Sequence, residues 1–564
     1  MAGGKRTQSH YATRRVYVAA VVRHVWNTFA AMARLGAALL VGCAAPAAPP
    51  APPPITVVDG YDWTLPPGVG PRPDAGFYGD QLAPEHGVDV RALDLTWRQL
   101  EPTEGALRHD TYGHAQDQDF ASWADQRAEG GRYWVRLWLT GVDWAPAWLP
   151  AACGVAPIGV DSDGQAHLPL WHPCVWAKAR ALWQRVLAEV RDDPALVLVY
   201  VPGGFTWNDF DFPLIDGAVD AGLAPAAFAA WFHAMVADLA TAAGPAVGKL
   251  VYTGEDYPSA RLGAVDDLLA RDATAAGLGI RAARGELANH KLAAAPAWGA
   301  RIAADGHVIV DPAAGARGVR AVEHECYDAC GTTVADPDEL AYAVRTSNWK
   351  ALALGARWIF VAPTDSHLGE LADHWRWVRA ELGRGAADAF DGWVVLRDAE
   401  DRAWADDATV TWPARPWVAN LERLVVQREV VPDGRSARGT EVRAGVLDPR
   451  NGTAYEGRRT TAATGGQALY FAVDPAWLAG DQAVTVQVTY LDDACGTWTL
   501  RYATAAGVRA SAPVACADTG GVRTARIALP DARFGGALAG GTDLAVVRGG
   551  AADVEVRYLR VIRQ

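Results

Sequence analysis

The sequence predicts an α/β chain in which a (β/α)8 TIM barrel is followed by an antiparallel β-sandwich, and three observations predict it. From about residue 57 to 390, short β-branched or aromatic runs alternate with Ala-rich stretches, the mark of repeated βα units and a parallel sheet. Eight such runs fit a closed barrel over a span of about 330 residues, and no Gly-rich dinucleotide fingerprint follows the first of them. Beyond about residue 410 helical stretches nearly vanish, and short alternating runs are separated by Gly, Asp and Asn. The length of 564 residues allows about three domains, and a chain half apolar and only 21% charged has ample material for cores.

The first segment reads as an export leader over residues 1–43. Lys5, Arg6, Arg14, Arg15, Arg23 and Arg34 precede a short apolar run, Leu35 to Gly42, which is too short to cross a bilayer. Leu40-Val41-Gly42-Cys43 is similar to the lipobox of bacterial lipoproteins, a resemblance that implies lipidation of Cys43 and an extracytoplasmic, membrane-anchored protein. Residues 44–56 then form a Pro/Ala linker, a semi-extended spacer. No later run of about 20 consecutive apolar residues offers a transmembrane helix, so the lipid is the expected membrane contact.

Apart from Cys43, six cysteines fall in three local pairs, Cys153 with Cys174, Cys326 with Cys330 and Cys495 with Cys516. An even count in an exported chain favours disulfides, and neither the spacings nor a neighbouring His pair suits a metal, so no metal or other cofactor is expected.

The barrel domain is expected over 57–410. Its strand candidates are Val88–Thr96, Tyr133–Leu139, Leu196–Val201, Lys249–Thr253, Leu278–Ala282, Val319–Glu323 and Trp358–Val361, with one more near Gly76–Tyr78 or Thr56–Asp59. Between them lie amphipathic helices such as Val175–Val190, where Trp176, Ala179, Leu182, Trp183, Val186 and Val190 recur at three- and four-residue steps. The run Gly392–Asp398 closes this domain or bridges to the next. The sandwich is expected over 411–564, with strands at Ala483–Tyr490, Trp498–Tyr502, Thr524–Leu529 and Val554–Val561.

The net charge is −13, and setting aside the six basic residues of the leader leaves −19 on the rest, which argues against nucleic acid as a partner. Trp is the compositional outlier at 24 residues against 12 Phe, and its flat apolar face with a polar edge suits sugar rings. In a barrel of this kind chemistry sits where strands end, and those edges are rich in carboxylates and aromatics. They carry Asp94 to Gly105, Arg136 to Trp148, Gly203 to Asp211, Glu255 to Tyr257, Arg284 to His290, Glu323 to Glu325 and Asp365 to His367.

The segment Trp97…Leu100-Glu101-Pro102-x-Glu104-Gly105, followed by Trp171-His172-Pro173 opening a helix that ends at Asp192-Asp193-Pro194, resembles the barrel of clan A glycoside hydrolases, β-galactosidase-like members in particular, over about residues 60–400. That resemblance implies an acid/base carboxylate after an Asn at the end of strand four and a nucleophilic Glu at the end of strand seven. Asn208-Asp209 and Glu323 fit, with Asp209 one methylene shorter than the clan's Glu. Glycoside cleavage needs such a pair, about 5–5.5 Å apart for retention and about 6.5–9.5 Å for inversion. Glu325 lies two residues on and would face the same way in an extended segment. Trp97, Arg136, Trp138, Trp207, Asn208, Glu255, Glu286, His324 and Glu325 are the expected substrate contacts, whereas Glu101 reads as a brace for its loop. For Glu323 the competing role is a salt bridge to Arg281, Arg284 or Arg320.

The C-terminal stretch from Arg459 through Asp474, Gly496-Thr-Trp498 and Asp531 to Gly536 resembles the jelly-roll appendage of secreted bacterial carbohydrate-active proteins, with Trp498 as platform or core. No Gly-x-Ser-x-Gly elbow, HExxH motif or P-loop competes. The expectation is an exported glycosidase acting on an oligo- or polysaccharide; the alternative is a surface lipoprotein whose degenerate barrel binds carbohydrate without cutting it.

Overall fold

A computed structural model describes residues 54–110, 122–160, 164–201, 219–220, 222–253, 271–282, 296–303, 305–311, 317–324, 337–364, 366–400, 417–442 and 454–564. Eight parallel strands close into a barrel. They are β1 (Gly76–Tyr78), β2 (Val88–Thr96), β3 (Arg132–Trp138), β4 (Leu196–Val201), β5 (Leu250–Thr253), β6 (Gly279–Ala282), β7 (Arg320–His324) and β8 (Trp358–Val361). Closure comes from β8 pairing with β1 in the register Trp358 to Gly76 and Phe360 to Tyr78. These runs are buried on both faces, as parallel strands must be: all six residues of β4 and all five of β7 are buried.

Alternation decides which side chains fill the barrel. Tyr78, Val90, Trp134, Leu198, Tyr200, Val251, Ala321, Trp358 and Phe360 form one interior cluster. The opposite faces meet the helices α1 (Pro173–Val190), α2 (Pro225–Ala243), α3 (Pro337–Ala353) and α4 (Ala372–Glu381). Helix α1 starts on Pro173, whose fixed φ suits a first helical position, and buries Val175, Trp176, Ala179, Leu182, Trp183, Val186, Leu187 and Val190. The segment Pro225–Lys249 is long and apolar enough to cross a membrane by composition. In the fold, α2 buries Phe228, Phe232, Met235, Val236 and Leu239 in the same core as the barrel strands.

The two candidates for the remaining strand part company. Gly76–Tyr78 is barrel strand β1, whereas Ile55–Asp59 pairs antiparallel with Val522–Phe534 at the edge of the sandwich. Burial explains the choice, because β1 is covered throughout while Thr56 and Asp59 stay exposed, as suits an edge strand with one wet face. The run containing Gly392–Asp398 is also a sandwich strand, Asp391–Glu400, bonded on one side to Trp417–Arg423 and on the other first to Glu555–Arg563 and then to Ala454–Arg459. The sandwich therefore takes residues from both sides of the barrel. Among the described residues its two sheets have eight and six strands, and their facing side chains, among them Trp498, Tyr490, Val486, Ile527 and Leu559, form a second core. Trp498 is fully buried and belongs to that core.

Barrel and sandwich share one compact unit, Pro53–Gln564. Asp391 on the sandwich is buried, pairs with the equally buried Arg560, and accepts from Trp377 Nε1 of α4 at 3.0 Å. Tyr61, Trp63, Trp349, Trp377 and Tyr558 pack ring against ring at the same junction. Disulfides join Cys153 to Cys174 and Cys495 to Cys516. Cys326, Cys330 and Cys43 lie outside the described residues.

Candidate active site

The interior alternation that buries Val90, Trp134, Tyr200 and Ala321 carries polar residues inward one or two steps nearer the C-terminal strand ends. These are Asp94 on β2, Arg136 and Trp138 on β3, Arg281 on β6 and Glu323 on β7. All are buried, Glu323 at 3% exposure and Asp94 and Arg136 at 7%.

They form two charged pairs. Arg136 grips Asp94 through both oxygens, Nε to Oδ1 at 2.6 Å and Nη2 to Oδ2 at 3.0 Å, and reaches Asp80 Oδ1 at 3.0 Å. The planar fork suits such bidentate contact. Trp138 Nε1 donates to Asp94 Oδ1 at 3.0 Å, and the Arg136 guanidinium lies 4.9 Å from the Trp134 ring and 4.8 Å from the Trp138 ring. Burial opposes the charge on Arg136, but Asp94 and Asp80 outweigh it and hold its pKa above the ordinary value. In the second pair Glu323 meets Arg281, whose guanidinium sits 4.6 Å over the Tyr200 ring.

Tyr200 lies between the pairs, its hydroxyl 3.0 Å from that of Tyr78. Burial above all raises its pKa well above the usual phenol value against the opposing pull of Arg281 and Arg136, so it remains a neutral hydrogen-bonding group. The three carboxylates Asp80, Asp94 and Glu323 face two guanidiniums, a formal −1 among these five described residues.

The expected residues divide as follows. Glu323, Arg136 and Trp138 come together, with Arg136 serving Asp94 rather than Glu323. The salt bridge from Glu323 to Arg281 is present. His324, the next residue on β7, turns to the outer layer: its ring is 5.7 Å from Trp375 of α4, it is fully buried, and Ser366 Oγ donates to its carbonyl. Trp97 is fully buried beside Glu101, to whose Oε2 its Nε1 donates at 2.9 Å, and stands apart from the charged pairs. Glu101 braces its loop as expected, accepting from Gly105 N at 2.5 Å and Arg185 Nη2 at 2.8 Å. Asp209, Trp207, Asn208, Glu255, Glu286 and Glu325 lie outside the described residues. Sequence reasoning did not single out Asp94, Asp80, Tyr200 or Tyr78, although period-two counting along β2 and β4 marks Asp94 and Tyr200 as inward.

No protein-family model matches the chain, and no curated protein does. Among solved structures it is similar to a β-galactosidase from the psychrophilic Marinomonas ef1, at 12% identity over 52% of this chain and 55% of that one, with a TM-score of 0.29. It is also similar to endo-glycoceramidase II from Rhodococcus sp., at 12% identity over 82% and 99% of the two chains with a TM-score of 0.29. The isomalto-dextranase of Arthrobacter globiformis T6 matches at 12% over 85% and 90%, with a TM-score of 0.28. At these TM-scores the likenesses assign neither reaction nor residue; the barrel rests on its strand pairing.

Proposed function

We propose that the chain is an exported, lipid-anchored glycoside hydrolase that cleaves O-glycosidic bonds of an oligo- or polysaccharide, with Glu323 as nucleophile and Asp209 as acid/base. One observation carries the reading: Glu323 faces inward at the C-terminal end of β7, buried and held by Arg281, in the same end of the barrel as the inward, buried Asp94. The two-carboxylate route asks for an anionic nucleophile at the anomeric carbon and a second carboxyl to protonate the departing oxygen. Arg281 restrains the Glu323 carboxylate against rotation, a restraint that favours attack in one geometry. The formal −1 among Asp80, Asp94, Glu323, Arg136 and Arg281 suits the positive charge that develops on the sugar ring. The Trp138 and Tyr200 rings are aromatic walls in the same end of the barrel.

A second reading, a carbohydrate-binding barrel that does not cut, is favoured by the engagement of both Asp94 and Glu323 with guanidiniums. A panel of aryl glycosides separates the two. The hydrolase reading expects turnover of at least one substrate and a loss of three or more orders of magnitude in Glu323→Gln. Equal turnover by both proteins removes Glu323 as nucleophile, and saturable sugar binding without turnover of any substrate selects the second reading.

A further inference from the structure

At the opposite end of the barrel, where β7 and β8 begin, a cleft of about 930 Å³ opens between the strand starts, the hairpin of strands Ala300–Ile302 and Val308–Val310, and the sandwich. This is at the upper end of the range for small-molecule sites. In a chain of net charge −13, six arginines line it. Three of them finish local structure. Arg320 donates to the Leu354 carbonyl at 2.8 Å, and Arg384 donates to three carbonyls, those of Ala380, Gly70 and Asp388. Arg423 pairs with Glu381.

The other three, Arg317, Arg357 and Arg428, are exposed. Arg357 shares Asp74 with Arg72, and Arg317 and Arg428 have no ion-pair partner among the described residues. The lining carboxylates are already engaged. Asp474 accepts from Ala476 N at 2.8 Å, Glu422 pairs with His307 at 3.0 Å, and Asp305 accepts from His307 N at 3.3 Å. Arg320 and Arg357 also stand close enough that, after burial, the charge of Arg357 is what lowers the Arg320 pKa, a repulsion that a bound anion would relieve.

We propose that this cleft binds a small molecule bearing two or more carboxylate or sulfate groups, held by Arg317, Arg357 and Arg428. Planar guanidiniums with unspent donors match such oxyanions, and the inference is independent of the chemistry at the other end of the barrel. The test is calorimetric titration of the full chain at low ionic strength with citrate, inorganic sulfate and trigalacturonate. Saturable binding of citrate or trigalacturonate is expected, weakening at least tenfold in Arg317→Ala/Arg428→Ala and falling as salt rises. Both side chains are exposed, so an unchanged melting temperature will show that the variant is folded. Binding of trigalacturonate alone identifies an acidic saccharide as the source of the anion, and binding of citrate alone identifies a free polycarboxylate. No saturable binding of any probe up to about 10 mM, or binding that survives the double substitution, overturns the proposal.

Discussion

Removing Arg281 tests the charge arrangement around Glu323 at the level of stability. Both side chains are about 5% exposed or less, so Arg281→Met leaves a carboxylate in a dry interior with its cation gone. Breaking a buried pair from one side costs about 3–5 kcal/mol, whereas replacing both partners costs far less. The double variant Arg281→Met/Glu323→Gln should therefore recover most of the loss. If the barrel melts as a unit of roughly 300 residues, its unfolding entropy of about 0.6 kcal/mol/K converts 3–5 kcal/mol into a drop of about 5–8 °C. Differential scanning calorimetry on wild type, both single variants and the double variant closes the cycle. A single variant melting within about 1 °C of wild type, or a double variant no better than Arg281→Met, would show that Glu323 and Arg281 do not stabilise one another as a buried ion pair.

Three other outcomes follow from the same structure. Burial lowers the tendency of His307 to charge, but Glu422 at 3.0 Å outweighs it and raises the pKa above 6.5; the pair is thus fully stabilising below about 6.5 and loses its contribution as pH rises through the folded value. Stability measured across that window should decline more steeply in wild type than in Glu422→Gln. The Cys153–Cys174 disulfide closes a loop of sequence separation 21, so Cys153→Ser/Cys174→Ser should destabilise by about 3 kcal/mol, read by denaturant titration. Deleting residues up to Asp59 removes the edge strand bonded to Val522–Phe534, and limited proteolysis should then cut the exposed Val522–Phe534 strand before the barrel strands.

Most of the barrel is legible in the sequence because a buried parallel strand is a short apolar run with nothing else to be. The expected run Leu196–Val201 has the observed bounds, and Val319–Glu323 differs from Arg320–His324 by one residue. What sequence could not decide was partnership. Ile55–Asp59 reads as a strand equally well in either domain, and its place was settled by a partner more than 460 residues away. The site was legible in part for the same reason. Inward position follows from counting by twos, which brings Glu323 and Arg136 to the barrel end, but which carboxylate meets which guanidinium depends on how adjacent strands are staggered. Asp94 pairs with Arg136 because they are register partners on β2 and β3, a relation no local pattern contains. His324, expected as a substrate contact, lies on the opposite face because one residue along a strand reverses the side.

The most direct test of the glycosidase account is peptide mapping after incubation with activated 2-deoxy-2-fluoro glycosides, which trap the covalent intermediate of a retaining enzyme. One added sugar is expected, on the peptide that contains Glu323 and on that carboxylate. A sugar attached to any other residue, or active enzyme that stays unlabelled and releases product of inverted configuration, would contradict Glu323 as nucleophile.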